Sequence, residues 1–95
     1  MILNGGTLDG KRYLSEKAVN EMTTKQTGEA LKDEYGLGWS TGGGQVGHGG
    51  AFSTNMNIDP KRGRITVFLV QAAGFPADGG QSGGAFSKAA NELFK

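Results

Sequence analysis

A single histidine framed by glycines is the residue of this chain best suited to chemistry. It stands in the run Gly47-His48-Gly49-Gly50-Ala51, which we predict to lie on a β-strand. Glycines beside the histidine leave the strand surface open, so that a ligand can lie against the backbone. An exposed backbone N–H there can donate to a developing oxyanion, and an imidazole can exchange a proton near neutral pH. Taken alone, a lone histidine in a glycine-rich strand is more often structural than functional.

A catalytic triad of Ser53, His48 and Asp59 is the obvious alternative, and strand geometry argues against it. His48 and Ser53 fall on one predicted strand, where five steps separate them by about 16 Å and place them on opposite faces. Such a pair cannot share a hydrogen bond. We therefore predict that these three side chains do not work together.

Two further patterns suggest phosphate binding, and both have simpler explanations. Gly42-x-Gly44-x-x-Gly47 has the letters of a dinucleotide fingerprint, but a strand rather than a helix is predicted after it. The basic residues Lys61, Arg62 and Arg64 cluster at a predicted hairpin. A solvated turn that discourages edge-to-edge aggregation explains them better than a phosphate site.

Composition excludes several classes of protein. The 95 residues fit one domain or a domain fragment, 1–95, and the formal net charge of +1 indicates no nucleic-acid partner. Without cysteine and with one histidine, the chain is not expected to hold a metal or a cofactor. The longest apolar run, residues 67–70, is far shorter than the roughly 20 residues of a membrane span. We therefore expect no membrane span.

Two helices are predicted, one near each end of the chain. Ser15 is a good N-cap for a helix over about 15–26. The second helix, over about 85–95, has apolar residues at helical spacing along one face. These residues are Phe86, Ala89, Ala90, Leu93 and Phe94. We expect this stripe to pack on a sheet, with both helices on the same face of it.

Three strands are predicted between the helices, over about 35–41, 46–58 and 64–72. The first two are joined through the glycines at 42–44, and the last two through the turn at 59–63. Both faces of the strand 64–72 are apolar, so we expect it to be central. The predicted fold class is α+β, with a three-stranded antiparallel meander flanked by an N-terminal and a C-terminal helix.

Several short segments occur in a characteristic order along the chain. They are residues 3–15, Tyr35-Gly36-Leu37-Gly38-Trp39, Gly47-His48-Gly49-Gly50-Ala51, Asp59-Pro60 and Val67-Phe68-Leu69-Val70-Gln71. In this order they resemble the C-terminal part of the beta-lactamase-related serine hydrolases, which include class C beta-lactamases, DD-carboxypeptidases and related esterases. The resemblance covers about residues 2–95 and implies a fragment of the beta-lactamase/transpeptidase-like fold.

The family has three site motifs, of which one matches here. Ser-x-x-Lys supplies the nucleophile and its base, and Tyr-x-Asn or Tyr-x-Ser supplies a second acid–base group. Lys-Thr-Gly or His-x-Gly on a sheet strand lines the pocket, and His48-Gly49-Gly50 matches this third motif. The resemblance implies that His48 binds or polarises the substrate and that Gly49 and Gly50 keep the strand open for it. It also implies that the backbone N–H of Ala51 serves the oxyanion hole.

The other two motifs are missing from these 95 residues. No serine is followed by a lysine three positions later, and Tyr13-Leu14-Ser15 sits at a predicted helix cap. We therefore expect the chain to be inactive alone and to need an N-terminal partner segment that carries Ser-x-x-Lys. The full-length parent is expected to cleave a small-molecule amide or ester through an acyl-enzyme, without a cofactor.

A free-standing, non-catalytic binding or structural module derived from the same family is the alternative reading. The coding sequence upstream of Met1 distinguishes the two, because an in-frame Ser-x-x-Lys favours the hydrolase and a genuine start site favours the module. Lactam, peptide and ester substrates all fit the resemblance. A periplasmic or secreted location is what the family implies, although the chain shows no signal peptide.

Overall fold

The computed structural model of the chain describes residues 1–74 and 81–94. Its elements are a 3₁₀ helix (Ile2–Asn4), β1 (Thr7–Leu8), β2 (Lys11–Arg12), α1 (Glu16–Thr23), β3 (Ser40–Gly42), β4 (Gln45–Gly49), β5 (Asn55–Asp59), β6 (Arg64–Phe68) and α2 (Ser82–Leu93). Strands β1 and β2 form a small hairpin, and β3 to β6 form an antiparallel meander in chain order. The α+β class is thus confirmed, whereas the predicted three-stranded meander is wrong by one strand.

Helix α1 begins where its capping residue predicts. The Oγ of Ser15 accepts a hydrogen bond from the backbone N–H of Ala18 at 3.1 Å, while the Ser15 backbone stays extended. The helix ends at Thr23, before the predicted boundary, because Thr24 has an extended backbone and its hydroxyl donates to the Asn20 carbonyl at 2.9 Å. One turn of the helix buries Val19, which is 8% exposed.

The predicted strand over 35–41 is wrong for most of its length. The N–H of Gly36 donates to the carbonyl of Trp39 at 2.7 Å, which turns the chain back on itself. An isolated bridge then joins Tyr35 to Ser40, where β3 begins. The glycine connection to β4 is confirmed, since Gly43 and Gly44 both have positive φ, 57° and 78°, as a two-residue hairpin requires.

The predicted strand over 46–58 is two strands, β4 and β5, joined by a tight turn. The N–H of Gly50 donates to the Thr54 carbonyl at 2.9 Å, and the N–H of Ser53 donates to the Gly50 carbonyl at 3.1 Å. Ser53 takes a φ of 63°, in the left-handed region that non-glycine residues rarely enter. The alternation of large and small side chains continues through this turn, so the sequence pattern did not reveal it.

The two helices pack on opposite faces of the meander, so the prediction of a common face is wrong. Val46, Ile58 and Ile65 are register partners on one face, and Val19 of α1 lines the same cavity as Val46 and Ile58. We call this side the α1 face. The other side, the α2 face, carries Arg64, whose guanidinium donates to the Ala90 carbonyl of α2 at 2.8 Å.

The apolar stripe of α2 meets the sheet over only part of its length. Phe86 packs against Phe68 with ring centroids 5.5 Å apart, and Ala90 is 8% exposed. Leu93 and Phe94 are 75% and 65% exposed. The prediction that the whole stripe packs on the sheet is therefore wrong at its C-terminal end, where these two side chains remain largely exposed.

Strand β6 lies at the edge of the described sheet, not at its centre as predicted. It ends at Phe68, and its side chains on the α1 face, Ile65 and Val67, are 48% and 47% exposed. Together with Met56, the register partner of Val67 on β5, they form what we call the apolar strip. The apolar pattern of this segment thus marks a surface that the described part of the chain leaves uncovered.

Candidate functional site

Strand β4 lacks a neighbouring strand along part of its outer edge. Its ladder with β3 ends at the pair Ser40↔Gly47, whereas its ladder with β5 continues to Gly49↔Asn55. From His48 onward, the β3 side of the strand is therefore unpaired by any strand of the described residues. An unpaired edge offers backbone hydrogen bonds to an extended ligand.

His48 presents its imidazole at this end of β4. The side chain is exposed and lies on the α1 face, where Met56 is its register partner. The Tyr35 ring packs against it at right angles, with centroids 5.7 Å apart and an interplanar angle of 85°. The Nδ1 of His48 is 2.5 Å from the Gly49 carbonyl oxygen. A carbonyl only accepts, so a hydrogen bond between these two atoms places the hydrogen on Nδ1 and leaves Nε2 directed away from it.

Tyr35 is a residue that sequence reasoning missed. Its contact with His48 joins two segments that are distant in the sequence. The Tyr35 backbone is fixed, because its carbonyl accepts from the N–H of Gln26 at 2.7 Å and of Thr27 at 3.3 Å. The alternation of aromatics and glycines at 35–39 was the available signal, and it indicated a strand instead.

The glycines after His48 differ in what their missing side chains allow. A Cβ on Gly49 would lie 3.7 Å from the Thr54 carbonyl oxygen, an ordinary contact. A Cβ on Gly50 would lie 2.3 Å from the Thr54 hydroxyl oxygen, which is too close. Gly50 is thus required by the β4–β5 turn itself, in addition to any clearance that it gives a substrate.

Ala51 offers an unused hydrogen-bond donor at the tip of this turn. In the same turn the N–H groups of Gly50 and Ser53 donate to backbone carbonyls, whereas those of Ala51 and Phe52 donate to no acceptor among the described residues. Ala51 is also exposed. An N–H that is free, exposed and held by a tight turn is what an oxyanion hole needs.

Ser53 and Asp59 are each occupied elsewhere and do not join His48. The Ser53 hydroxyl donates to the Ala72 carbonyl at 2.8 Å. Asp59 is 2% exposed and accepts from the Arg62 guanidinium at 2.7 Å. That hydrogen bond is the main cause that holds the pKa of Asp59 below its usual value. The triad is therefore excluded. The predicted reason was wrong in one respect, because His48 lies on β4 whereas Ser53 lies in the β4–β5 turn and not on the same strand.

The basic cluster does not form one cationic patch. Arg62 pairs with Asp59, and Arg64 on the α2 face donates to carbonyls of α2. Residues 1–74 and 81–94 contain no group of three His, Cys, Asp or Glu side chains placed to hold a metal ion. In the same ranges, no helix has the length and apolar character needed to cross a bilayer.

Comparison with known proteins identifies a family. A sequence model described as beta-lactamase matches residues 1–85, which include every residue of the 48–51 segment. The search of curated proteins found no match. The family match thus rests on most of the chain, including all of the four-stranded meander.

Proposed function

Because the chain belongs to the beta-lactamase family, we propose that it supplies the sheet side of an acyl-transfer site in a serine hydrolase. Within the family we place it with the class C beta-lactamases, DD-carboxypeptidases and esterases, as the C-terminal portion of such an enzyme. The substrate in the full-length parent is a small-molecule amide or ester. A periplasmic or secreted location belongs to the same proposal.

One observation carries this proposal most strongly, the free N–H of Ala51 beside an open strand edge. The donor belongs to an exposed residue, makes no hydrogen bond among the described residues, and lies in the turn that follows β4. In acyl transfer the carbonyl oxygen of the substrate becomes negatively charged in the transition state. A donor that the fold already holds in place stabilises that charge without any reorganisation during the reaction. The loss of one such donor lowers the rate by about 100- to 1,000-fold.

His48 binds or polarises the substrate in this proposal, and its surroundings support that role. The imidazole is exposed, so it contributes to a surface and fills no core. Tyr35 and the Gly49 carbonyl hold the ring from two sides. Gly49 and Gly50 keep the strand edge beside it accessible to the substrate.

The partner segment that carries Ser-x-x-Lys docks on the α1 face in this proposal. His48 and the apolar strip of Met56, Ile65 and Val67 are on that same face. Ile65 and Val67 are each nearly half exposed, and burying such side chains stabilises an association by roughly 25 cal/mol per Å² of apolar surface. A segment seated on the strip would bring its serine to the side where His48 projects.

The reaction then follows from the groups supplied by the two parts. The lysine takes the proton of the serine hydroxyl as the serine oxygen attacks the substrate carbonyl carbon. The resulting oxyanion is held by the Ala51 N–H and by the N–H of the serine. The lysine passes that proton to the departing amine or alcohol, whose expulsion leaves an ester on the serine, and water hydrolyses that ester to free the acid and restore the serine hydroxyl.

Complementation tests the proposal. The chain, a family segment that carries Ser-x-x-Lys, and the two fused in the order segment–chain are assayed with a chromogenic beta-lactam and a p-nitrophenyl ester. We expect turnover only from the fusion, because neither part has both the nucleophile and the Ala51 donor. A segment with the nucleophilic serine replaced by alanine is the matched control.

Two results would contradict the proposal. One is turnover by the isolated chain together with labelling of one of its own serines by a phosphonate, which would place a nucleophile within residues 1–95. The other is a folded fusion that neither turns over nor forms a covalent adduct with the phosphonate. That second result would favour a non-catalytic binding or structural module.

A further inference from the structure

A polar cleft lies between the sheet and helix α2, on the side of the sheet opposite to His48. Its volume is about 530 Å³, within the range of roughly 300–1,000 Å³ typical of small-molecule sites. The floor is made mainly by β5 and β6, and the wall by residues of α2 from Gly83 to Asn91. Nothing in the proposed hydrolase site uses these residues.

The floor is unusual for a helix-covered sheet face because it is made of amides and hydroxyls. Asn57 and Thr66 are register partners, so their side chains stand directly opposite each other on the α2 face. Asn55 lies on the same face, beside Phe68. Helices normally cover apolar faces of sheets, so a polar face beneath a helix is the informative exception.

A buried ionic centre fixes the orientation of the amide groups. The carboxylate of Asp59 accepts from the Gln45 amide nitrogen at 2.9 Å, and the Gln45 amide oxygen accepts from the Asn57 amide nitrogen at 2.5 Å. The Asn57 amide oxygen is thereby turned over Gly47, where it would lie 3.1 Å from a Cβ if one were present. This oxygen is a preoriented acceptor that a glycine leaves uncovered.

Three further polar side chains that line the cleft are unpartnered within the described part of the chain. The side chains of Asn55, Thr66 and Ser87 make no hydrogen bond to the described residues. Each of them both donates and accepts. Among the described residues of the lining, Arg64 is the only charged side chain, and its guanidinium already donates to the carbonyls of Ala90 and Phe94 at 2.8 and 3.2 Å.

From these groups we infer that the cleft binds a neutral, hydroxyl-rich ligand of mono- or disaccharide size. Hydroxyl groups both donate and accept, which matches the amides and hydroxyls of the floor. The rings of Phe68 and Phe86 close one end and offer apolar surface to the C–H faces of a sugar ring. In the part of the lining that the structure describes, a cation finds no carboxylate, and an anion finds only a guanidinium that already has partners.

Side-chain amide NMR of the whole chain tests this inference, with maltose as the neutral probe. Digalacturonate and diglucosamine serve as the anionic and cationic comparisons. We expect saturable shifts of the Asn55 and Asn57 side-chain amides with maltose at about 10 mM, because a Kd near 1 mM is the weak end of specific binding. Both charged compounds should bind less tightly.

A cleft-filling variant locates the binding. Gly83 lines the cleft, and a Cβ there would lie 3.9 Å from the Phe68 ring, an ordinary contact, so Gly83→Leu adds apolar bulk at the cleft and improves helix propensity. It should weaken maltose binding at least tenfold. Gly28→Leu is the matched control, since nothing lies within 4 Å of a Cβ there, and it should bind as the native chain does. If Gly83→Leu does not fold, Ser87→Leu takes its place.

Three results would overturn the inference. They are the absence of amide shifts with maltose, equal maltose binding by the folded cleft-filling variant, and tighter binding of either charged compound. None of these results depends on hydrolase activity, so the cleft and the acyl-transfer site can fail separately.

Discussion

Adding one methyl group at Gly47 of β4 should destabilise the chain, whereas adding one at Gly49 of the same strand should not. A Cβ on Gly47 would lie 2.3 Å from the backbone carbonyl oxygen of Met56. A Cβ on Gly49 would lie 3.7 Å from the nearest atom, the Thr54 carbonyl oxygen. Neither glycine has a positive φ, so alanine meets no backbone strain at either position.

The expected magnitudes follow from these distances. Gly47→Ala forces β4 and β5 apart, and overpacking of this kind costs about 1–3 kcal/mol. Gly49→Ala meets only an ordinary contact, so it should leave the free energy of unfolding unchanged or raise it by about 0.4–1 kcal/mol through the unfolded state. The two variants should therefore differ by roughly 2 kcal/mol.

Urea unfolding followed by the fluorescence of Trp39, the single tryptophan, measures the difference. Both variants and the native chain should show the same m-value, which makes the midpoints comparable. Equal destabilisation at the two positions, or a larger loss at Gly49, would refute the register Gly47↔Asn57 from which the distances arise.

Three further predictions concern charge, packing and the turn. The lowered pKa of Asp59 stabilises the fold above the unfolded value of about 3.9, and this stability is lost as pH falls through the folded pKa. Asp59→Asn, or Arg62→Met, which removes the partner of Asp59, should make the free energy of unfolding depend less on pH in this acid range, as measured by urea unfolding at several pH values. An unchanged pH dependence would contradict the role given to Asp59. Phe86→Ala should lower the free energy of unfolding by about 2 kcal/mol because the ring is half-buried, whereas Phe94→Ala should change it by less than about 0.5 kcal/mol. Thermal unfolding that showed the reverse order would contradict the packing of α2 on the sheet. Gly50→Val should destabilise the chain by about 1–3 kcal/mol, because the new side chain would collide with the Thr54 hydroxyl. Urea unfolding that showed no loss of stability would disprove this prediction.

Local chemistry explains which elements the sequence predicted correctly. Ser15 caps α1 because its hydroxyl meets a free N–H of the first turn, and such a signal lies within four residues. Paired glycines likewise place the β3–β4 turn, since few other residues adopt a positive φ twice in succession. Gly63 closes the turn after Pro60 in the same way, with a φ of 62°.

Long-range packing explains what the sequence did not predict. The left-handed φ of Ser53 has no signal in its residue type, so the β4–β5 turn was hidden within one apparent strand. The apolar pattern of α2 shows which side of the helix is apolar, but not how much sheet lies beneath Leu93. His48 was predicted on its strand, whereas its contact with Tyr35 depends on how two separate segments fold together.

The rate and stability effects of His48→Ala in the fused enzyme test the central claim most directly. The account predicts a fall in kcat/KM of about tenfold to a thousandfold, because one polar group acting on the transition state is lost. It also predicts a free energy of unfolding within about 1 kcal/mol of the native fusion, because the side chain is exposed. An unchanged kcat/KM together with a large loss of stability would show that His48 is a structural residue and would contradict the account.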